Sequence, residues 1–201
     1  MIHLSNISKH YGPKVLYKNS SIQLNTGEKV GLVGPNGNGK TTLFKLILGE
    51  ERADEGTVTK PDKCVIGYFS QKIEEMKGRS VLEEVKSAAG KVTELQSQLL
   101  QLEQKLAEPM DEEEMAKTLE IYGELQSEFE RLGGYDLDAR AAEILTGLRI
   151  MPEDHHRDTS TFSGGWKMRI ALAKILTLNP DVLLMDEPTN HLDLESIIWL
   201  E

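Results

Sequence analysis

A glycine-rich segment at residues 34–41 limits the possible folds of this chain more than any other feature. Its residues, Gly-Pro-Asn-Gly-Asn-Gly-Lys-Thr, fit the pattern G-x-x-x-x-G-K-S/T, a loop between a strand and a helix that binds phosphate groups. The short apolar run at 29–33 predicts the preceding strand, and the helical spacing over 41–48, ending at Gly49, predicts the following helix. The segment therefore predicts an α/β protein that binds a nucleoside triphosphate.

Each part of this loop has a chemical reason. Glycines let the backbone approach a ligand closely, and backbone N–H groups at the start of the following helix attract anions. We expect the Lys40 ammonium to reach the β- and γ-phosphates and the Thr41 hydroxyl to bind Mg²⁺. The predicted nucleotide-binding residues here are Gly34, Pro35, Asn36, Gly37, Asn38, Gly39, Lys40, Thr41 and Thr42. The alternative is a chance glycine turn.

A second motif, much later in the chain, argues against that alternative. The apolar run Val182–Met185 predicts a buried strand, and Asp186 and Glu187 follow it directly. A carboxylate at the end of such a strand can hold Mg²⁺, so Asp186 is a predicted metal ligand. We expect Glu187 to orient or deprotonate an attacking water. The alternative for Glu187 is a solvated turn carboxylate before Pro188.

A helical segment separates the two motifs. Ser80–Glu83 has the capping-box pattern of a helix start, and Pro109 divides the apolar residues that follow into two stripes. The first comprises Val81, Val85, Ala88, Val92, Leu95, Leu99, Leu102 and Leu106; the second comprises Met115, Leu119, Tyr122, Leu125, Phe129 and Leu132, before Gly133. We predict two antiparallel helices, the first continuous over 81–106, that form a projecting coiled-coil hairpin. The alternative is that both pack flat on the core.

Composition excludes several classes of protein. The chain has 23 basic and 33 acidic side chains, a net charge of −10, which argues against a general nucleic-acid binder. The single cysteine, Cys64, cannot form an internal disulfide and fits a reducing compartment. No apolar run approaches the roughly 20 residues that span a bilayer, and the start of the chain does not resemble a secretory signal. These features predict a cytoplasmic protein without a membrane segment of its own.

Two further segments complete the pattern. Residues 138–148 and 163–176 have helical spacing, and Ser163 with Gly164 and Gly165 places a hydroxyl and N–H groups at the start of the second helix. Such a start is a second candidate anion site. His155 and His156, between these helices, are predicted to be solvated loop residues.

These segments resemble the ATP-binding cassette superfamily over essentially the whole chain. Residues 34–41 match its Walker A motif, 182–187 match Walker B with the catalytic glutamate, 190–193 match the D-loop, and Phe162–Trp166 resembles the LSGGQ signature. The resemblance implies a P-loop NTPase fold, ATPase activity, and ATP and Mg²⁺ as ligands. It also implies three parts: 1–79 and 135–201, which form the ATP-binding core, and an inserted helical arm, 80–134.

Two more residues take roles from the resemblance. Gln71 lies where the superfamily has its Q-loop glutamine, which implies a catalytic role and contact with Mg²⁺. Tyr11 lies where the superfamily places an aromatic ring against adenine. The alternative for Tyr11 is a tyrosine packed at a loop edge.

Within the superfamily, the chain resembles the first cassette of an ABC-F protein. The stretch 186–193, the ending Trp199-Leu200-Glu201 and the inserted arm are typical of that group. The resemblance implies two cassettes, in one chain or a dimer, that clamp two ATP molecules and act on the ribosome or its tRNA in translation. Ser163, Gly164 and Gly165 would then contact the γ-phosphate bound by the other cassette.

The sequence also departs from the family pattern. Trp166 replaces the usual glutamine of the signature, and the chain ends at Glu201, before the family's switch histidine, so we expect a C-terminally truncated cassette that hydrolyses ATP poorly alone. Residues 84–131 hold 5 basic and 12 acidic side chains, a net charge of −7 (5 − 12), which limits contact with RNA. The alternatives are the ATP-binding subunit of a membrane transporter and a chromosome-associated or repair ATPase, and the short arm and the 190–193 stretch favour ABC-F over both.

Overall fold

The computed structural model describes residues 1–70, 76, 78–188, 196, 198 and 199. The chain divides into two compact units. The first contains Met1–Tyr68 and Pro180–Asp186, and the second contains Phe69–Asn179 and the described residues after 186. The first unit is therefore built from two segments that lie far apart in the sequence.

The first unit contains a three-stranded antiparallel sheet packed on one helix. β1 (Ile2–Tyr11) lies between β2 (Lys14–Leu24) and β3 (Glu55–Thr59). Helix α1 (Lys40–Leu48) ends at Gly49, whose φ of +84° and backbone N–H bonds to Lys45 and Leu46 form the predicted C-cap. The core joins apolar residues of β1, α1 and β5, namely Ile2, Leu4, Ile7, Leu43, Leu46, Ile47 and Leu184.

A two-stranded sheet joins the distant parts of this unit. β4 (Ile66–Phe69) pairs with β5 (Val182–Met185), the strand predicted before Asp186. Next to this pair, the Val65 N–H donates to the Asp181 carboxylate at 2.9 Å, and the Asp181 N–H donates to the Val65 carbonyl at 2.9 Å. These bonds fix β4 and β5 against each other at the start of β5.

The strand predicted at 29–33 is wrong. These residues form no regular structure, and Val30, Leu32 and Val33 are 62%, 39% and 95% exposed. An apolar run becomes a strand only where another strand accepts and donates its backbone hydrogen bonds, and neither of the described sheets includes this segment.

The second unit is mainly helical. Its helices are α2 (Val81–Lys86), α3 (Gly90–Leu106), α4 (Glu112–Arg131), α5 (Leu137–Gly147) and α6 (Gly164–Thr177). The predicted capping box is present, with the Ser80 N–H donating to the Glu83 carboxylate at 2.9 Å. Helices α2, α5 and α6 pack on one another, and the buried Glu84 of α2 forms an ion pair with Lys174 of α6 at 2.6 Å.

Helices α3 and α4 pack against each other as an antiparallel pair, but two details of the prediction are wrong. The helix is not continuous over 81–106, because a 3-10 turn at Ser87–Ala89 separates α2 from α3. On α4, Thr118 is buried, whereas Met115 and Leu119 are 41% and 51% exposed. Thr118 precedes Tyr122 by four residues and Leu125 by seven, so it fits the heptad repeat as well as the apolar residues do. A prediction based on apolar character alone therefore chose the wrong residues of α4 in this part of the helix.

His155 also differs from its prediction. It is buried, and its Nε2 lies 3.0 Å from the Ile150 carbonyl, while His156 is exposed as predicted. A 3-10 turn at Pro152–Asp154 turns the chain back and directs His155 inward. None of the described helices is both long and apolar enough to cross a membrane.

Candidate nucleotide-binding site

The predicted phosphate loop leads into α1, and glycine is required at position 39, just before the helix begins. Gly39 precedes the helix with a φ of +95°, and Gly37 has a φ of +79°. A Cβ on Gly39 would lie 2.9 Å from the Tyr17 hydroxyl oxygen and 3.3 Å from a methyl carbon of Leu16. Both the backbone angle and the close neighbours therefore exclude a side chain here.

Two residues of β2 support the loop from one side. The Tyr17 hydroxyl donates to the Gly39 carbonyl at 2.6 Å, and the Lys14 ammonium donates to the Gly37 carbonyl at 2.7 Å. Burial raises the pKa of Tyr17, so its hydroxyl stays protonated and able to donate at neutral pH. Sequence reasoning missed both residues, because nothing in the loop pattern indicates which strand lies beside it.

Lys40 places its charge among the loop oxygens. Its ammonium lies 2.8 Å from the Gly34 carbonyl, 3.4 Å from the Pro35 carbonyl and 3.4 Å from the Asn36 side-chain oxygen. A cation at this position, together with the N-terminus of α1, favours a multiply charged anion. The loop therefore fits the phosphate groups predicted from its sequence.

The structure brings two of the three predicted metal ligands together, Thr41 and Asp186. The Thr41 hydroxyl donates to the Asp186 carboxylate at 2.7 Å, although the two residues are 145 positions apart. Asp186 is only 9% exposed. A hydroxyl and a carboxylate are the hard oxygen donors that Mg²⁺ prefers, so this pair fits the predicted metal.

Tyr68 of β4 is a further member of this site that the sequence did not indicate. Its pKa is raised mainly by burial, and also by the negative charge of Asp186 and by the hydrogen bond between them. The phenol therefore stays neutral and able to hydrogen-bond to the Asp186 carboxylate. A tyrosine beside the buried Phe69 in a short strand carries no sequence signal for this role.

The other residues predicted for this site have different surroundings in the structure. Glu187 is half-buried and has a φ of +51°, a left-handed conformation that is strained for a glutamate. Thr42 is buried in α1. Tyr11 is 46% exposed, and its hydroxyl donates to the Glu51 carboxylate. The roles of all three stay predictions, and Gln71 and the D-loop stretch 190–193 lie outside the described residues.

The second candidate anion site lies at the start of α6 in the other unit. Ser163 is exposed at the N-cap, and its hydroxyl does not bond to the N–H groups of the first turn. Within the described part of the chain, no heavy atom lies within 4 Å of a Cβ built on Gly164 or Gly165. This helix start is therefore open, and its role toward a phosphate stays a prediction.

Aromatic rings and guanidinium groups surround this helix start. The rings of Phe162 and Trp166 have centroids 6.4 Å apart. The Arg157 guanidinium lies 4.7 Å from the Phe162 centroid, and the Arg169 guanidinium lies 4.5 Å from that of Trp166. The two cation–π contacts hold the residues on either side of Ser163 in place. Trp166 therefore has a packing role that a glutamine could not take.

Comparison with known proteins agrees with this geometry. A family model described as "ABC transporter" matches residues 17–190. The chain is 40% identical over 209 residues to ABC transporter F family member 2 of Arabidopsis thaliana, 36% identical over 200 residues to the tylosin resistance ATP-binding protein TlrC of Streptomyces fradiae, and 36% identical over 201 residues to the probable ATP-binding protein YheS of Escherichia coli K12. All three alignments cover the whole chain but only 30%, 36% and 30% of the respective relative.

Solved structures show the same fold. An ATP-binding subunit of an ABC transporter aligns with a TM-score of 0.69 at 18% identity, covering all of this chain and 71% of that one. A bacterial ABC transporter cassette solved as a dimer aligns with a TM-score of 0.63 at 25% identity, covering all of this chain and 79% of that one. The protein is an ATP-binding domain of the ABC transporter family and belongs to its F group, which confirms the predicted P-loop NTPase cassette fold.

Proposed function

We propose that this chain binds Mg-ATP at residues 34–42, hydrolyses it together with a second cassette, and acts in the cytoplasm on the ribosome in translation. The observation that carries the proposal is the hydrogen bond between Thr41 and Asp186. It joins the phosphate loop to the end of β5, which is the arrangement that a Mg²⁺-dependent nucleotide site requires. When bound, Mg²⁺ supplies positive charge that offsets the charge of the phosphates.

The residues of the chain divide the work. The Lys40 ammonium and the α1 backbone N–H groups bind and orient the phosphates. Thr41 and Asp186 would hold the metal, and the neutral Tyr68 phenol hydrogen-bonds to Asp186. Glu187, next in the sequence, orients the attacking water, and removal of such a group lowers turnover by roughly 10²–10⁴-fold.

A second cassette is part of the proposal because the start of α6 is open. The Ser163 hydroxyl makes no cap bond to the first turn, and a Cβ built on Gly164 or Gly165 would meet no heavy atom of the described chain within 4 Å. The hydroxyl and the backbone N–H groups here fit the phosphate end of a nucleotide held by another cassette. The dimeric bacterial cassette with the same fold supports this partner. We therefore expect the isolated chain to hydrolyse ATP slowly.

The ribosome is proposed from the F-group relatives and from a further relative that is named for resistance to tylosin. The competing function is the ATP-binding subunit of an ABC membrane transporter, which the solved structures with the same fold keep open. The inserted pair α3–α4 favours the first function, because it supplies a surface beyond what nucleotide binding needs.

Co-sedimentation of the full-length protein with purified ribosomes tests this function. Glu187→Gln should retain ATP binding, lose hydrolysis and increase the ATP-dependent fraction that sediments with ribosomes. Lys40→Ala is the matched control, because it should lose both ATP binding and co-sedimentation. If Glu187→Gln binds ATP but stays in the supernatant, the ribosome function is wrong and the transporter function gains support.

A further inference from the structure

We propose that Thr159 is a positioning residue for ATP hydrolysis: it holds the start of α6, with its exposed Ser163, where that start meets the nucleotide of the second cassette. The proposal rests on the ATP hydrolysis proposed above. Thr159 lies outside every motif found in the sequence, yet it is 0% exposed. A buried hydroxyl requires a hydrogen-bond partner, and the partner of Thr159 indicates what it does.

The backbone of Thr159 takes part in a pairing of two distant segments. Residues 79–82 and 155–159 lie side by side and are joined by backbone hydrogen bonds. The Thr159 N–H donates to the Arg79 carbonyl at 3.0 Å. Two further N–H groups of the first segment donate to carbonyls of the second, at 3.0 and 2.9 Å. We call 79–82 and 155–159 the paired segments.

The side chain of Thr159 adds a bond at the end of this pairing. Its hydroxyl donates to the same Arg79 carbonyl at 3.2 Å, so one oxygen accepts from both the backbone and the side chain of one residue. Loss of one donor at such a buried site is costly, because no solvent replaces it. Thr159 is therefore fixed in place by two bonds to a segment that is 80 residues away in the sequence.

A 3-10 turn transmits this position to the start of α6. The turn spans Thr159–Thr161, and the Phe162 N–H donates to the Thr159 carbonyl at 3.3 Å. Ser163, the N-cap of α6, follows directly. Only four residues therefore lead from the anchored Thr159 to the exposed Ser163, and a hydrogen-bonded turn restricts their conformation.

The start of α6 has few bonds of its own that could set its position. The Ser163 hydroxyl makes no cap bond, and Gly164 and Gly165 have no side chains that could pack. Of the residues just before the helix, Ser160, Thr161 and Ser163 are exposed and Phe162 is half-buried. Thr159 is thus the nearest fully buried residue on the N-terminal side of this site.

Thr159→Val tests the hydroxyl, because valine has nearly the same shape but cannot donate. In the two-cassette protein kcat should fall about tenfold, since a displaced donor loses much of its effect, while the Kd for Mg-ATP at residues 34–42 stays within about twofold. Thr159→Ser keeps the hydroxyl and should restore most of the kcat, although it loses a buried methyl group. Steady-state ATPase assays and calorimetry separate the two quantities.

Thr177→Val is the matched control for stability. Thr177 is also 0% exposed, and its hydroxyl donates to the Ala173 carbonyl at 2.9 Å near the other end of α6. Its substitution removes the same kind of buried bond, so the melting temperature should fall by a similar amount. The kcat should stay within about twofold of the parent value, because the start of α6 keeps its anchor.

A double variant tests whether Thr159 acts through the start of α6. Gly164→Val alters that start directly and should itself lower kcat at least about tenfold. If both substitutions act on the same groups, kcat of the Thr159→Val, Gly164→Val protein should lie within about twofold of that of Gly164→Val alone. Independent effects would instead multiply to about 100-fold.

Four results would overturn the proposal. Parent-like kcat in Thr159→Val would show that the hydroxyl positions nothing that hydrolysis needs. An equal loss of kcat in Thr177→Val would indicate a general effect of stability. Multiplied losses in the double variant would show that Thr159 acts elsewhere than at the start of α6. Absence of ATP hydrolysis by the parent two-cassette protein would remove the proposed function and this role with it, and the parent assay alone identifies that case.

Discussion

The starts of helices α1 and α6 are both rich in glycine, yet their surroundings differ. At the start of α1, the loop carbonyls bond to Lys14, Tyr17 and Lys40, and the Thr41 hydroxyl bonds to Asp186. At the start of α6, the Ser163 hydroxyl leaves the first turn uncapped, and open space surrounds Gly164. The first helix start is supported within its own unit, whereas the second presents its groups outward. At α1, glycine is needed for the backbone conformation of the loop. At α6, glycine leaves space beside the backbone at the start of the helix.

The largest expected effect breaks the supported site. Lys40→Ala removes the ammonium that lies among the loop oxygens, and loss of charge-assisted bonds to phosphate should raise the Kd for Mg-ATP roughly 100-fold. Calorimetric titration of the chain with Mg-ATP measures this. Lys45→Ala is the control: Lys45 is also on α1 but pairs with Glu51 at 3.4 Å, so its Kd should stay within about twofold. Equal loss in both variants would indicate a general charge effect.

The next largest effect is expected at the open start of α6. Gly164→Val should leave ATP binding by residues 34–42 and the melting temperature nearly unchanged, since the added carbons meet no described neighbour. In the two-cassette protein it should lower kcat at least about tenfold, because a donor displaced by even one ångström loses much of its effect. Steady-state ATPase assays and calorimetry separate the two quantities.

Gly123→Val is the matched control, since Gly123 is also an exposed helical glycine with open space around it. Its kcat should equal that of the parent protein. If Gly164→Val loses ATP binding instead of turnover, the contrast between the two helix starts is wrong.

A moderate effect is expected at Trp166. Its substitution tests whether the aromatic and cation–π contacts hold the start of α6 in place. Trp166→Ala removes the ring under Arg169 and beside Phe162, so the free energy of unfolding should fall by about 1–2 kcal/mol. The kcat should fall a few-fold while the Kd for Mg-ATP stays the same. Trp166→Phe keeps a ring and should recover most of both losses; Trp166→Gln should not. Chemical denaturation and ATPase assays measure these changes, and full activity in Trp166→Gln would disprove the packing role.

The smallest effect is expected on the arm. The hydrogen bond from Lys91 lowers the pKa of Glu128 below its ordinary value of 4.5. Because the folded-state pKa is the lower one, this pair adds stability above the unfolded-state pKa and loses it as the pH falls through the folded value. In Lys91→Met, the pKa of Glu128 measured by NMR should rise toward 4.5. Lys117→Met, which removes the partner of Glu113, should leave Glu128 unchanged.

The sequence predicted the site better where function limits the choice of residues. The phosphate loop, Thr41 and Asp186 could be proposed from the sequence because each must be of one type at one spacing. The structure confirms the strand before Asp186 and places Asp186 beside Thr41. The supporting residues Tyr17 and Tyr68 were not found, because a tyrosine hydroxyl that bonds to a carbonyl or a carboxylate can come from any neighbouring strand. Motifs specify the groups that meet the ligand, and the fold decides which side chains hold those groups.

The errors in the fold have a common cause. The run at 29–33 and the stripe through Met115 and Leu119 were both assigned from apolar character. Yet Val33 is 95% exposed, and the polar Thr118 is buried in place of Leu119 with its hydroxyl bonded to the Glu114 carbonyl at 2.8 Å. Periodicity indicates that a segment has two faces, but the neighbouring element decides which face is covered.

The bond between Val65 and Asp181 also has a consequence for biosynthesis. The first unit needs β5, so its sheet β4–β5 cannot form until the ribosome has released residues 180–186, more than one hundred residues after β4. At roughly 5–20 residues per second, the nascent N-terminal segment waits for several seconds with Leu43, Leu46 and Ile47 short of their partner Leu184. During this interval the arm helices α3 and α4, which are adjacent in the chain, can already pair. Chaperone demand should therefore fall on the nucleotide-binding half rather than on the arm.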